Sequence, residues 1–119
     1  MSRLQYTTTL KKNHELRRLY AQGRSAVRPT LALYARKGRR GENRVGFTVT
    51  TRLGKAVVRN KVRRRLREIY RLHETELSAG TDLVVVARSR AVRASYAELE
   101  RDFLAACRQL GLTGGEAAQ

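Results

Sequence analysis

The sequence predicts an α+β fold: a small two-layer sandwich of helices against one sheet, in the order α-β-β-(β)-α-β-α, with a crossover through a basic helix. Three patterns predict it. Residues 55–72 carry apolar side chains at a period near 3.6, which marks an amphipathic helix. Residues 31–37 and 44–50 alternate apolar and polar side chains, which marks half-buried strands. Leu83-Val84-Val85-Val86 is a continuous apolar run, which suits a strand buried on both faces.

Taken in order, the first element is a short helix. Asn13 is placed to cap it, and Gly23 to end it in the left-handed conformation. Leu16, Leu19 and Tyr20 share one face. A brief strand near Ser25–Val27 has only a weak signal. In the next strand Leu31, Leu33 and Ala35 alternate with Ala32, Tyr34 and Arg36. In the one after it Val45, Phe47 and Val49 alternate with Gly46, Thr48 and Thr50. The segment from Gly38 to Asn43 reads as the hairpin loop between them.

The long helix, from about Lys55 to Leu72, places Val58, Val62, Leu66, Ile69 and Leu72 on its apolar stripe. Arg65 falls at the margin, where its stem can pack while its head reaches water. The strand at Thr81–Ala87 follows. The last helix opens on Ser95 and Glu98, a capping box, and lines its inner face with Tyr96, Leu99, Phe103, Cys107 and Leu110. Gly111, Gly114 and Gly115 then announce a frayed end. The expected organisation is one domain over residues 1–112 and a flexible tail over 113–119.

Composition narrows the function. The chain has 119 residues and 41% hydrophobic content, enough for one modest core. No apolar run is long enough to span a membrane, and residues 1–10 lack a signal-peptide core, so neither membrane insertion nor export is expected. Cys107 is the sole cysteine: no internal disulfide and no zinc ligand set can form, and a reducing cytoplasm is the expected compartment. Lys plus Arg number 26 against 10 for Asp plus Glu, a formal net charge of +16. A polyanion relieves such self-repulsion, and nucleic acid is the usual one.

The charge is concentrated. Gly54-Lys55-Ala56-Val57-Val58-Arg59-Asn60-Lys61-Val62-Arg63-Arg64-Arg65-Leu66-Arg67-Glu68 contains no acid before Glu68. Arg59, Asn60, Arg63, Arg64, Arg67 and Arg71 share the arc opposite the apolar stripe, with Lys61 at its edge. Arg59, Arg63 and Arg67 stand at i, i+4 and i+8, where like charges destabilise an isolated helix. Phosphates opposite them would remove that cost. A solvated basic face is the plain alternative, and charge alone does not separate RNA from DNA. A membrane-surface helix is disfavoured, because the apolar face lacks Trp and Phe.

The mixed strand faces present Ala32, Tyr34, Arg36, Thr48 and Thr50. A sheet face with an aromatic, hydroxyls and a cation is how single strands are often held. Ordinary half-buried tyrosines at Tyr20 and Tyr34 remain the alternative. No protein active site is legible. His14 and His73 lie on different helices without an evident acid partner and read as exposed, and Asp82 and Asp102 form no cluster for two-metal chemistry. No catalytic and no metal-binding residue is assigned.

The segment from Gly54 to Glu68 resembles the signature helix of the bacterial ribonuclease P protein subunit, with its Arg-Asn-Arg core followed by an apolar residue and further basic ones. Leu10-Lys11-Lys12-Asn13-His14-Glu15-Leu16 resembles the family's opening helix. Arg44-Val45-Gly46-Phe47-Thr48-Val49-Thr50 resembles the strand before the signature, and Asp82-Leu83-Val84-Val85-Val86-Ala87-Arg88 the later strand. Order and spacing agree from about Leu10 to Leu110.

The resemblance implies a left-handed crossover through the signature helix, against the general right-handed rule. It implies an endoribonuclease ribonucleoprotein that removes 5′ leaders from precursor tRNA, with catalysis and the Mg²⁺ requirement residing in the RNA partner. The partners implied are ribonuclease P RNA and precursor tRNA, not DNA or a membrane. Arg59, Asn60, Lys61, Arg63, Arg64 and Arg67 would meet the catalytic RNA. A cleft between the opening helix and the sheet, with Leu16, Tyr20, Tyr34, Arg36, Thr48 and Thr50, would take the leader. Lys61 stands where the family has its second Arg, so charge is kept but the planar fork is lost. Leu16 and Tyr20 stand where the family often has Phe. A ribosomal or other structural RNA binder is the alternative function; motif order alone favours ribonuclease P.

Overall fold

A computed structural model of the chain describes residues 7–10, 13–38 and 42–113. The elements are β1 (Thr7–Thr9), α1 (Asn13–Gln22), β2 (Arg24–Val27), β3 (Leu31–Lys37), β4 (Asn43–Thr48), α2 (Ala56–His73), β5 (Thr81–Ala87) and α3 (Tyr96–Gln109), with 3₁₀ turns at Thr51–Leu53, Glu74–Glu76 and Ser89–Val92. The five strands form one sheet in the order β1-β4-β5-β3-β2. β1 and the short β2 flank it as edges.

The expected β3–β4 hairpin does not form. β5 lies between the two strands, antiparallel to β3 and parallel to β4. Its side chains explain this: Leu83, Val84 and Val85 are all buried, so the strand gains most where both edges and both faces are covered. Gly38 and Gly80 close the end of the β3–β5 pair, with the Gly38 N–H donating to the Gly80 carbonyl at 2.7 Å. A Cβ on Gly38 would stand 2.4 Å from Asp82 Oδ1, so only glycine lets the strand end pass that carboxylate. The parallel β4–β5 connection runs through α2, the expected crossover.

The main core lies on one face of the sheet. Leu31, Leu33, Ala35, Val45, Leu83, Val85 and Ala87 pack there against α2 and α3. α2 contributes Val62, Leu66, Ile69 and Tyr70. Tyr70, absent from the predicted stripe, is 1% exposed and meets Phe47 and Phe103 edge-on, with ring centroids 6.2 and 6.3 Å apart. Leu72, predicted inside, is 48% exposed. It sits roughly 120° around the helix from Leu66, whereas Tyr70 sits roughly 40° away. Arg65 is half-buried, and its head reaches a protein partner rather than water alone: Nη1 donates to the Ala94 carbonyl at 3.3 Å.

α3 begins as expected. Ser95 Oγ accepts from the Glu98 N–H at 3.1 Å, and Glu98 Oε1 accepts from the Ser95 N–H at 2.8 Å. Leu99, Phe103 and Cys107 are buried, Leu110 follows at the cap, and Asp102 is buried among them. Burial pushes the Cys107 thiol up to about 12, so it is an inert core residue. Gly111, with φ of +71°, turns the chain back. The Leu112 carbonyl then accepts from Ser78 N–H, and Thr113 bridges to Leu77. Residues 114–119 of the expected tail lie outside the described residues.

The other face of the sheet carries α1, which adds cover that a two-layer reading leaves out. Leu10, Leu19 and Val84 form a second small core there, with Leu16, Tyr34 and Val86 against it. Asn13 is the first helical residue rather than the cap before it. Gly23 is not left-handed. Its role is close approach: a Cβ would lie 2.6 Å from the Leu19 carbonyl oxygen and 3.0 Å from that of Ala35.

Candidate nucleic-acid interface

Strand register fixes what the α1 face displays. Arg44, Asp82 and Arg36 form one row across β4, β5 and β3. Gly46, Val84, Tyr34 and Ser25 form the next. Thr48, Val86, Ala32 and Val27 form the third. α1 lies over the first two. A Cβ on Gly46 would meet the Leu10 carbonyl oxygen at 3.0 Å and Leu16 Cδ2 at 3.3 Å, so glycine at this point lets the helix sit down on the sheet. The third row is left more open, with Val27 exposed and Thr48 and Val86 half-buried.

Tyr20 borders that open row. Its hydroxyl is 2.9 Å from Thr48 Oγ1, and its ring meets the Tyr34 ring edge-on at 5.0 Å. Tyr20, Tyr34 and Thr48 thus form one strip of an exposed ring, a half-buried ring and a hydroxyl. The other three predicted cleft residues stand apart from it. Leu16 packs into the small core. Thr50 is exposed beyond the end of β4, where it precedes the 3₁₀ turn. Arg36 is on the opposite flank of α1, since residues 18 and 22 lie roughly 160° around the helix from residue 20. Its Nη1 donates to Gln22 Oε1 at 3.0 Å.

That flank holds a polar cavity of about 400 Å³, lined by His14, Glu15, Arg18, Arg36, Lys37 and Asp82 among others. Arg44 is its structural bolt. Arg44 donates to Asp82 through Nε at 3.0 Å and Nη2 at 2.7 Å, and to Glu15 through Nη1. The Asp82 hydrogen bonds raise the Arg44 pKa above its ordinary value, desolvation opposes them, and Glu15 adds to them. The triad ties α1 to β4 and β5, so Asp82 is fully engaged.

α2 presents the second surface. Its N-terminus follows Gly54, whose φ of +139° suits glycine alone. No acid lies in its first turn, and the positive end of the helix dipole adds to the basic side chains. Asn60, Lys61 and Arg64 are exposed; Arg59, Arg63 and Arg67 are half-exposed. Arg59 Nε donates to the Gly54 carbonyl at 3.1 Å, and Arg63 Nη1 donates to Asn60 Oδ1 at 3.1 Å. Among the described residues, none of Arg59, Lys61, Arg63, Arg64 and Arg67 takes part in an ion pair. Glu68, the first acid of the helix, is held by Arg71 through two hydrogen bonds at 3.1 and 2.6 Å. The six predicted contact residues therefore form one continuous surface with unneutralised charge.

Of the two histidines expected to be exposed, only His14 is. His73 is half-buried between two carboxylates, with Nδ1 3.0 Å from Glu76 and Nε2 2.7 Å from Glu100. Burial works against its charged form, but the hydrogen bonds it makes to Glu100 and Glu76 outweigh it and raise the pKa. Asp102 is also structural. Its Oδ2 accepts from Thr30 N–H at 3.0 Å and Thr30 Oγ1 at 2.6 Å, and its Oδ1 is 3.8 Å from Arg28 Nε. Sequence reasoning missed both roles, because Glu100 and Thr30 reach these residues only through the fold. Among the described residues no three His, Cys, Asp or Glu side chains are grouped to hold a metal ion, and no helix is long and apolar enough to cross a membrane.

Comparison with known proteins agrees with the resemblance. The Ribonuclease P family model matches residues 4–111. The ribonuclease P protein component of Natranaerobius thermophilus is 40% identical over 96 residues, covering 81% of this chain and 84% of the relative. That of Alkaliphilus metalliredigens is 36% identical over 109 residues, covering 92% and 98%. The RNase P protein of Staphylococcus aureus superposes with a TM-score of 0.81 at 25% identity, over 90% of this chain and 98% of that one. The RNase P protein of Thermotoga maritima superposes with a TM-score of 0.74 at 26% identity, over 82% and 92%. With the sheet order, the basic helix and the tyrosine strip in place, the chain belongs to the ribonuclease P protein family.

Proposed function

We propose that the chain is the protein subunit of a bacterial ribonuclease P, a ribonucleoprotein endonuclease that removes the 5′ leader of precursor tRNA. It binds the catalytic RNA through Arg59, Asn60, Lys61, Arg63, Arg64 and Arg67 on α2. It receives the single-stranded leader along Tyr20, Tyr34 and Thr48. The observation that carries this reading is the α2 face from Arg59 to Arg67, where none of the five cations at 59, 61, 63, 64 and 67 takes part in an ion pair among the described residues. Such a face is stabilised by phosphates laid against it, and phosphate contacts fix the orientation of a protein on nucleic acid.

The tyrosine strip suits an unpaired strand. Aromatic rings accept bases of any sequence by stacking, and the Thr48 hydroxyl offers a polar contact beside them. Phosphodiester cleavage is assigned to the RNA. Asp82 and Asp102 are occupied by Arg44 and Thr30, and His73 by two glutamates, so none is poised as a general base or metal ligand. On this reading the Mg²⁺ requirement lies with the RNA partner. The cytoplasm is the fitting compartment for such a particle.

Reconstitution tests the reading. The protein is added to a bacterial ribonuclease P RNA with labelled precursor tRNA at low Mg²⁺. Cleavage at the mature 5′ end should rise well above that of RNA alone. A protein that binds RNA yet leaves cleavage unchanged would belong with structural RNA binders.

A further inference from the structure

A third cationic surface lies outside both sites. The 3₁₀ turn at Ser89–Val92 and the 3₁₀ turn at Thr51–Leu53 pack against each other and both against α2. Between them is a cavity of about 400 Å³ lined by Arg52, Leu53, Ser89, Arg90, Val92 and Arg93. Three of the six lining residues are arginines, and none is an acid. All three arginines are exposed, and among the described residues none takes part in an ion pair. The nearby acids are committed: Glu98 to the α3 capping box, Asp102 to Thr30.

The arginines stand on a rigid base. Ala91 is fully buried under the turn. The Arg88 N–H donates to the Thr30 carbonyl at 2.9 Å, the Ala94 N–H to the Arg90 carbonyl at 3.1 Å, and Arg88 Nη1 to the Arg28 carbonyl at 2.8 Å. Arg90 and Arg93, three residues apart, are brought to one side by the 3₁₀ geometry. Arg52 faces them from the neighbouring turn. These bonds fix the backbone from which Arg90 and Arg93 project. The cluster lies where β4 and β5 run out, past Thr48 and Val86 in the open row, and at the foot of α2.

We propose that Arg52, Arg90 and Arg93 form a phosphate-binding notch that grips an RNA backbone between the tyrosine strip and the basic face of α2. The inference rests on the ribonuclease P reading and adds three contacts to it. Guanidinium groups fork onto phosphate oxygens, which suits a fixed cluster of three better than a mobile lysine set. The backbone gripped belongs to one of two RNAs, the catalytic RNA or the precursor, and the chemistry is the same for both.

The test replaces all three by glutamine (Arg52→Gln, Arg90→Gln, Arg93→Gln) and, separately, by lysine. Affinity is measured against salt for the catalytic RNA alone, and for precursor and mature tRNA with the assembled holoenzyme. Loss of three contacts should reduce the slope of log K against log salt by about 2–3 units, with affinity falling about 10- to 100-fold near 0.15 M salt. A loss against the catalytic RNA identifies it as the source. A loss against precursor but not mature tRNA identifies the leader. The lysine variant should keep the slope, because charge is retained. An unchanged slope for all three RNAs, with the thermal melt of the variant intact, overturns the notch. A wild-type protein that itself fails to bind ribonuclease P RNA overturns the underlying reading instead. None of the three side chains makes a hydrogen bond to a described residue, so the fold should survive; should the glutamine variant melt early, the single Arg93→Gln variant must lower the slope by about one unit for the notch to stand.

Discussion

Tyr20 and Thr48, 28 positions apart in the chain, meet hydroxyl to hydroxyl at 2.9 Å and join α1 to β4 across the open row of the sheet. The contact sets the Tyr20 ring on edge against Tyr34. Base stacking on an aromatic ring contributes about 1–3 kcal/mol. Tyr34→Ala should therefore weaken precursor tRNA binding by roughly 5- to 100-fold in the holoenzyme, and mature tRNA, without a leader, should hardly change. Tyr20→Phe keeps the ring and removes only the exposed hydroxyl contact, so it should cost about 1 kcal/mol or less. Equal losses for precursor and mature tRNA would assign Tyr34 to the fold or to the catalytic-RNA interface.

The α2 face makes a separate prediction. Arg59→Ala, Arg63→Ala and Arg67→Ala together should shrink the salt slope for the catalytic RNA by roughly 2–3 units. No ion pair within the described residues is lost, so the far-UV signature and the melting temperature should stay close to those of the parent. An unchanged salt slope would move the catalytic RNA to another face of the protein.

Much of this was legible in the sequence, and the gaps have physical causes. α2, α3 and β5 announced themselves through periodicity and capping, which are local properties. The basic arc was equally local. β1 and β2 were missed or faint because strands of 3 and 4 residues carry too little pattern. The false β3–β4 hairpin came from adjacency in sequence, whereas the pairing was decided by the need to bury β5. At the strip, Tyr20, Tyr34 and Thr48 stand side by side. Arg36 does not join them, because the alternation of β3 gives its face but not the flank of α1 on which it emerges.

Asp102 illustrates a site that only the fold reveals. Its carboxylate receives two hydrogen bonds from Thr30, 72 positions away, at 1% exposure. Asp102→Ala should destabilise the protein by about 2–4 kcal/mol in urea unfolding, because the Thr30 donors and Arg28 lose their acceptor in a buried setting. Cleavage by the reconstituted holoenzyme should persist wherever the variant remains folded. A loss of several orders of magnitude in the cleavage step, with folding and RNA binding normal, would place catalytic chemistry on the protein.

His73 makes stability depend on pH. It bridges the end of α2 to Glu76 and to Glu100 on α3, half-buried. Desolvation penalises its charged form, but the two carboxylates prevail, and its pKa in the folded state lies above 6.5. A histidine raised on folding stabilises the native state fully below its unfolded value. That stabilisation is lost as pH rises through the higher, folded value. The protein should therefore lose stability as pH rises from below 6.5 through the higher, folded value of this group. His73→Gln retains a polar side chain but no titrating charge. It should lower stability near pH 6 and narrow the gap to the parent near pH 9. Urea midpoints at both pH values, for the parent, His73→Gln and Glu100→Gln, give the comparison. A difference between parent and His73→Gln that stays constant across the range would mean that the ring acts through packing alone, with no charge held between the two glutamates.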